Sequence, residues 1–197
     1  MKEKKESDFI PCLLMKYKEG SSKIVLYFHA NAEDLGRAYK FLNYIHSYLR
    51  MHVLAVEYPG YGVYQGAPEG ASADKIISDA DVVYHFIKEK LKWREEDILI
   101  CGRSIGSGPA CYLASRYKPG VLILVSPHTS IRGVVKDQFL GSLTQYMIAE
   151  RFRNIDAIAK VACPTFILHG MQDTIVNPSH SQRLCDSCGG PSYLLMP

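Results

Sequence analysis

Little in this sequence points to a membrane, a nucleic acid or an unusual class of protein. None of its apolar runs reaches the roughly 18 residues that a membrane-spanning helix requires. A mixed charge run at 2–6 leads into Phe9-Ile10-Pro11 instead of a long apolar stretch, so we expect a solvated end and no cleavable signal peptide. The net charge of +3 is too small to indicate nucleic acid as a partner. The sequence has no repeat or linker, so we expect one domain over residues 1–197.

The six cysteines are scattered along the chain. Cys185 and Cys188 form a lone C-x-x-C, without a second pair and without a histidine at the spacing of a metal ligand. Zinc sites need more ligands and redox sites need a thioredoxin-like setting, so we interpret the pair as structural. We therefore expect no metal and no cofactor. A reducing cytosol suits this use of cysteine, and peripheral association with a membrane stays open.

Apolar segments rich in β-branched residues alternate with segments of helical period. The predicted strands cover 23–29, 52–58, 97–101, 121–125 and 164–169, and a last strand begins at 193. The predicted helices cover 35–49 and 76–91, and two more begin near Ser104 and after Asn177-Pro178. Residues 128–160 lack a clean period and are predicted to form short helices over the strand ends. This alternation predicts an α/β fold, with a mainly parallel sheet and helices on both faces.

The strongest motif is G-x-S-x-G at residues 102–106, between a predicted strand and a predicted helix. A sharp turn at this point lifts the hydroxyl of Ser104 above the sheet edge, and Gly102 and Gly106 let the backbone segments approach one another. The pattern therefore predicts Ser104 as a nucleophile. A structural Gly-Ser turn is the alternative.

The segment that begins at His29, directly after a strand, is the second candidate element. In this architecture the loop after that strand supplies a backbone N–H to an oxyanion hole. We expect Ile105 to supply the first N–H donor and Asn31 the second. His29 itself is predicted to shape the turn through hydrogen bonds, because the general base should come later in the chain.

An acid and a base are needed to activate the serine. Asp173 follows the strand at 164–169 and is the predicted acid, whereas Asp186 falls within the next helix and is the weaker candidate. His180 follows Asp173 too closely, in the first turn of a helix, and is predicted to be an unlikely substitute for the base. We expect the true histidine to lie beyond residue 197 and the chain as given to be nearly inert.

Two softer features surround these residues. The segment 58–62 is aromatic and glycine-rich and would flank the site, although aromatic packing is the simpler interpretation. Within the excursion, an acyl-binding groove or a packed cap could be formed by Phe139, Leu143, Tyr146 and Met147. The sequence leaves both alternatives open.

Taken together, several segments resemble the α/β-hydrolase domain-containing protein 17 group. They are F-H-A-N-A-E-D-L-G (28–36), E-Y-P-G-Y-G (57–62), C-G-R-S-I-G-S-G-P (101–109), S-P-H-T-S (126–130), R-N-I-D (153–156) and L-H-G-M-Q-D-T-I-V (168–176). The resemblance implies an α/β-hydrolase fold that stops after its last core strand. It also implies Ser104 as nucleophile, Asp173 as acid and a histidine past the end of this sequence.

The group is known for protein S-depalmitoylases, so the resemblance implies an acyl ester or an S-acylated protein as substrate. The chain departs from the group's usual pattern at Ala30, where glycine is usual, and at Glu57, where aspartate is usual. The cysteine-rich segment that anchors family members is not recognisable, since only Cys12 lies near the start. A catalytically silent scaffold and a lipase or small-ester carboxylesterase remain alternatives.

Overall fold

Seven strands form one sheet in the computed structural model, which describes residues 9–64, 72–138 and 151–197. In chain order they are β1 (Cys12–Met15), β2 (Ile24–Phe28), β3 (His52–Val56), β4 (Ile98–Arg103), β5 (Val121–Val125), β6 (Thr165–Leu168) and β7 (Ser192–Leu195). Their order across the sheet is β1-β3-β2-β4-β5-β6-β7. β1 is antiparallel to β3, and the other neighbours are parallel.

Helices connect the strands. They are α1 (Leu35–Tyr48), α2 (Ala73–His85), α3 (Ser107–Arg116), α4 (Ile131–Gln138), α5 (Asn154–Ile158) and α6 (Ser179–Asp186). A π-helical turn, Phe86–Lys90, continues α2, and two 3₁₀ turns, Glu95–Asp97 and Ser104–Gly106, flank β4. The helix starts follow the local sequence, because the side chain of Asp34 accepts from the N–H of Arg37 and that of Ser72 from the N–H of Lys75.

The sheet carries a hydrophobic core on each face. On one face α1 packs Ala38, Leu42 and Ile45 against strand residues such as Val25 and Val53. The larger core on the other face contains buried residues from α2, α3, α5 and α6. β2 is buried at all of its positions, because it lies inside the sheet with both faces covered. These observations confirm the predicted mainly parallel sheet with helices on both faces.

The strand order reverses at β2. The chain passes from β2 to β3 on one side and then crosses back to β4 on the other side of β2. Phe28, the last residue of β2, is level with Val56 of β3 and with Gly102 of β4. Loops that leave the carboxyl ends of β2 and β4 in opposite directions open a crevice, which is where α/β sheets bind ligands.

The structure adds details that the sequence patterns did not predict. β1 was not predicted; it is a four-residue edge strand whose residues are alternately exposed and half-buried. β4 extends to Arg103, two residues past its predicted end. Short helices are found in the 128–160 excursion, while 139–150 lie outside the described residues, as does the charge run at 2–6. In the part of the chain that the structure describes, no helix is long and apolar enough to cross a membrane.

Candidate active site

A strained turn holds Ser104 between β4 and α3. Its φ angle is +51°, in the left-handed region that residues other than glycine rarely adopt. A Cβ atom at Gly102 would lie 2.4 Å from the carbonyl oxygen of Gly106, so this close approach requires glycine. The 3₁₀ turn that follows leads directly into α3. We call residues 102–106 the elbow; its geometry matches a turn that presents a serine at the start of a helix.

The elbow packs directly on the end of β2. A Cβ atom at Gly106 would lie 2.2 Å from the carbonyl oxygen of Phe28 and 2.8 Å from that of His29. This contact brings the loop at 29–32 next to the first turn after Ser104. Among the described residues, the backbone N–H groups of Asn31 and Ile105 donate no hydrogen bond. Both predicted donors are therefore available to a ligand at this edge of the sheet.

His29 is buried and fully engaged in hydrogen bonds. Its Nε2 lies 2.9 Å from Oε1 of Glu57, and its Nδ1 lies 2.9 Å from the carbonyl oxygen of Ala30. The ring stacks on Tyr58, with centroids 4.0 Å apart, and the Tyr58 hydroxyl donates to the carbonyl oxygen of His29. The side chain thus shapes the loop that carries Asn31. This placement favours the predicted structural role over a role as general base.

The segment 58–62 does flank the loop. The Tyr61 hydroxyl donates to Oδ1 of Asn31 at 2.6 Å, so an aromatic residue orients the exposed side chain beside one predicted oxyanion donor. The departure at Ala30 needs no unusual conformation, because the positive φ angle in this loop, +58°, belongs to Ala32. Glu57 still reaches His29 with its carboxylate, as described above.

Asp173 lies in the loop after β6, held by several donors. Its Oδ1 accepts from the N–H groups of Ile175 at 2.9 Å and Val176 at 3.0 Å, and Oδ2 lies 3.4 Å from Nε2 of His169. Burial alone would raise the pKa of this carboxyl. The backbone donors, the Ser126 hydroxyl and His169 outweigh burial, and the pKa is lowered. Asp173 is therefore ionised at neutral pH, as an orienting carboxylate must be.

The elbow and the Asp173 loop share one edge of the sheet. β5 separates β4 from β6, so the two loops are about 10 Å apart by the usual strand spacing. An imidazole between serine and carboxylate would span such a gap. Within the described residues, however, no imidazole is hydrogen-bonded to the Ser104 hydroxyl. The structure thus brings the predicted nucleophile, donors and acid to one edge, without a base among them.

The two histidines nearest in sequence to Asp173 are buried in other contacts. In α6, Nδ1 of His180 lies 2.8 Å from Oγ1 of Thr129, and Nε2 lies 3.1 Å from Oδ2 of Asp137. His169 has Nδ1 2.5 Å from Oγ of Ser181, and its Nε2 donates to the carbonyl oxygen of Val176. Neither ring is placed to accept a proton from Ser104. His180 remains an unlikely substitute for the base.

Comparisons with known proteins bear on this geometry. No family model matches the chain. Alpha/beta hydrolase domain-containing protein 17C of Xenopus laevis is 30% identical over 180 residues, which are 91% of this chain and 56% of that protein. Protein 17B of Homo sapiens is 30% identical over 182 residues, which are 92% of this chain and 61% of that protein. The chain thus spans less than two thirds of the length of these relatives.

Solved structures give the same fold. Est1E from Butyrivibrio proteoclasticus, with ferulic acid bound, superposes with a TM-score of 0.76 at 18% identity, covering 95% of this chain and 85% of the other. The Paleococcus ferrophilus monoacylglycerol lipase gives 0.68 at 16% identity, covering 95% and 89%. This chain has the α/β-hydrolase fold. Its predicted resemblance to the domain-containing protein 17 group is confirmed as well.

Polar residues beneath the elbow were not predicted as functional. Ser107, His128 and Asn154 are buried there and contact one another. Two of them stand in the S-P-H-T-S and R-N-I-D segments that carry the family resemblance. The presence of His128 and Asn154 in those segments could have marked them as candidates. Their role, however, follows only from the contacts that they make in the folded structure.

An open groove of about 500 Å³ lies beside the first turns of α3. Its lining includes Gly108, Tyr112 and Phe152, and a Cβ atom at Gly108 would lie 2.3 Å from the Phe152 ring. Apolar surface is therefore available near the elbow. The residues predicted to form an acyl groove or a cap, Phe139, Leu143, Tyr146 and Met147, lie outside the described residues.

The described part of the chain holds no group of three or more histidine, cysteine, aspartate or glutamate side chains that could hold a metal ion. Its cysteines are free thiols. Burial raises the pKa of Cys163 to about 11 and also raises that of Cys111, which keeps both thiols protonated and unreactive. Cys185 lies 3.4 Å from the Ser192 hydroxyl, within its own local packing.

Proposed function

We propose that this chain is the core of a serine hydrolase that cleaves acyl esters or thioesters through an acyl-enzyme on Ser104. The observation that carries the proposal is the elbow. A serine held at a φ angle of +51° between a central strand and a helix, beside two backbone N–H groups that donate no hydrogen bond within the described residues, is a costly arrangement. Such strain is typical of functional sites. We further propose that the chain forms one hydrolase domain.

The chemistry requires two half-reactions. The Ser104 Oγ attacks the carbonyl carbon of the acyl group while its proton passes to an imidazole. The N–H groups of Ile105 and Asn31 bind the oxyanion, and one such donor is worth about 3 kcal/mol. The intermediate collapses and expels the alcohol or thiol, which takes the proton from the imidazolium. Water then repeats the attack, releases the carboxylic acid and restores Ser104.

Asp173 is proposed to orient that imidazole through its Oδ2, since Oδ1 is already held by two backbone donors. We propose that the base is a histidine carried by chain beyond Pro197. The carbonyl oxygen of Pro197 accepts from the N–H of Met171 at 3.0 Å, so this residue lies beside the loop that bears Asp173. Chain leaving Pro197 is therefore close enough to reach both the carboxylate and the elbow.

The substrate class is narrowed by the resemblance to the domain-containing protein 17 group. It favours a long-chain acyl thioester on a protein, cleaved in the cytoplasm or at a membrane surface. A lipase or small-ester carboxylesterase would use the same residues, and one of the fold neighbours is a monoacylglycerol lipase by name. The open groove beside α3 offers apolar surface for an acyl chain.

Turnover measurements test this proposal. We compare a palmitoyl-cysteine peptide with an aryl butyrate, using the full-length product of the gene and the 197-residue chain. The full-length protein is expected to hydrolyse the palmitoyl thioester with the higher kcat/KM, Ser104→Ala to be inactive, and the 197-residue chain to be at least a thousandfold slower. A preference for the butyrate would overturn the depalmitoylase assignment and leave the hydrolase.

A catalytically silent scaffold is the second candidate, favoured by the absence of a base bonded to Ser104 among the described residues. The same experiment separates it from the enzyme. A full-length protein that turns over neither substrate, yet unfolds cooperatively on heating, would support the scaffold and refute the proposed hydrolase.

A further inference from the structure

A buried polar cluster lies directly beneath the elbow, and the mechanism above does not use it. We call Ser107, His128 and Asn154 the elbow cluster. They come from the first turn of α3, the loop after β5 and the start of α5, and their exposed fractions are 0%, 2% and 1%. Buried polar side chains are costly unless their hydrogen bonds are made, so their arrangement needs a reason.

The bonds of Ser107 define the arrangement. Its hydroxyl donates to the carbonyl oxygen of Ser104 at 2.6 Å and accepts from Nδ2 of Asn154 at 2.8 Å. The same Nδ2 donates to the carbonyl oxygen of His128 at 2.9 Å. The hydroxyl has one proton, which goes to Ser104, so its other contacts must be donors. The amide of Asn154 meets this requirement, whereas an aspartate at that position would not.

The imidazole of His128 completes the cluster without adding charge. Its Nδ1 lies 3.4 Å from the hydroxyl oxygen of Ser107. Burial and, to a smaller extent, the nearby His180 lower the pKa of His128 to about 4, although its hydrogen bond to the Ser104 backbone acts in the opposite direction. The ring is therefore neutral at physiological pH, and the hydrogen bonds of the cluster are made among uncharged groups.

The cluster acts on the strained residue itself. A serine in the left-handed region is disfavoured, and such a conformation persists only where its surroundings over-determine it. The Ser107 hydroxyl donates a hydrogen bond to the Ser104 carbonyl oxygen and accepts one from Asn154. Gly106 packs closely against the backbone of Phe28. The peptide group after Ser104 carries the N–H of Ile105, so fixing this carbonyl also fixes the direction of that donor.

We infer that Ser107 and Asn154 are positioning residues that hold the Ser104 main chain so that its hydroxyl and the Ile105 N–H face one reacting atom. The inference rests on the proposed function, in which Ser104 is the nucleophile. In this proposal both residues act through the Ser104 main chain and not on the reacting atoms. Their loss changes the reactivity of the serine rather than the affinity of the site.

A matched control lies on the same helix. Ser115 donates to the carbonyl oxygen of Tyr112 at 2.7 Å, which is the same bond from residue i to residue i−3 that Ser107 makes. It lies at the far end of α3, away from the elbow. Ser115→Ala removes an equivalent hydroxyl from the helix without touching Ser104.

The experiment measures covalent labelling of the full-length protein by a fluorophosphonate, separated into kinact and Ki. Ser107→Ala and Asn154→Asp are expected to lower kinact about tenfold with Ki within twofold of wild type. Ser107→Thr, which restores a hydroxyl, is expected to recover most of kinact, and Ser115→Ala to match wild type. Unchanged kinact in Ser107→Ala, or a change confined to Ki, would overturn the inference.

A crystal structure of Ser107→Ala provides a readout independent of activity. We expect Ser104 to leave the left-handed region when the hydroxyl is lost, and a φ angle that stays near +51° would overturn the inference. Should Ser107→Ala fail to fold, Asn154→Asp is solved in its place with the same criterion. A wild-type protein that never labels refutes the proposed function, and the structural result still decides on the positioning role.

Discussion

We predict that low pH lowers the free energy of unfolding of this protein in part because His128 takes up a proton when the chain unfolds. The native state keeps this buried imidazole neutral down to a pKa of about 4, whereas the unfolded chain protonates it near 6.5. Between these values the unfolded state binds more protons, so stability falls as the pH falls. The single histidine accounts for about 2 kcal/mol of lost unfolding free energy by pH 5 and about 3 kcal/mol by pH 4.

Urea unfolding at pH 7, 6, 5 and 4 measures this loss, in wild type and in His128→Asn. His128→Asn leaves a cavity and is therefore less stable than wild type at pH 7. As the pH falls, however, its free energy of unfolding should drop by about 2 kcal/mol less than that of wild type at pH 5 and by about 3 kcal/mol less at pH 4. Burial also lowers the pKa of the neighbouring His180, although Asp137 raises it, and both proteins retain this histidine. Parallel profiles within about 0.5 kcal/mol would refute the reasoning, as would a His128 titration near 6.5 by proton NMR.

Three further predictions follow from close contacts and from the acid. Gly106→Ala places a Cβ atom 2.2 Å from the Phe28 carbonyl oxygen and should lower the free energy of unfolding by about 3 kcal/mol. Gly170→Ala is the control, because its Cβ atom would meet nothing within 4 Å, and it should change the free energy of unfolding by less than about 0.5 kcal/mol. Equal shifts of the two variants in thermal unfolding would contradict this prediction. Asp173→Asn should lower kcat about 10⁴-fold with KM little changed, and an unchanged kcat would remove it from the mechanism. Glu57→Gln breaks a buried pair and should cost about 2 kcal/mol by urea unfolding; no loss would refute its structural role.

Much of the fold follows from local patterns. The apolar strands and the helix at 35–48 were predicted to within a few residues, because burial on both faces of a parallel sheet and on one face of a helix leaves a clear period. β1 was missed for the opposite reason. It has four residues at the edge of the sheet, and its pairing with β3 rather than its own sequence makes it a strand.

The candidate site likewise has one part that local sequence patterns predicted and one part that they did not. Ser104 and its glycines form a contiguous motif, so their geometry was predictable from spacing alone. In the elbow cluster, Ser107 contacts His128, which is 21 positions away in the sequence, and Asn154, which is 47 positions away. Only the convergence of the ends of β4 and β5 with α5 brings them together, and no periodic pattern encodes such a contact. In the loop at 29–32 the positive φ angle belongs to Ala32, a residue that no sequence pattern singled out.

The nucleophilic role of Ser104 is tested most directly by locating the adduct of a fluorophosphonate in the full-length protein. Peptide mapping by mass spectrometry, with Ser104→Ala as a parallel sample, identifies the modified residue. We predict one stoichiometric adduct on the peptide that contains Ser104 and none in the variant. An adduct on another residue, or labelling that persists in Ser104→Ala, would contradict the account.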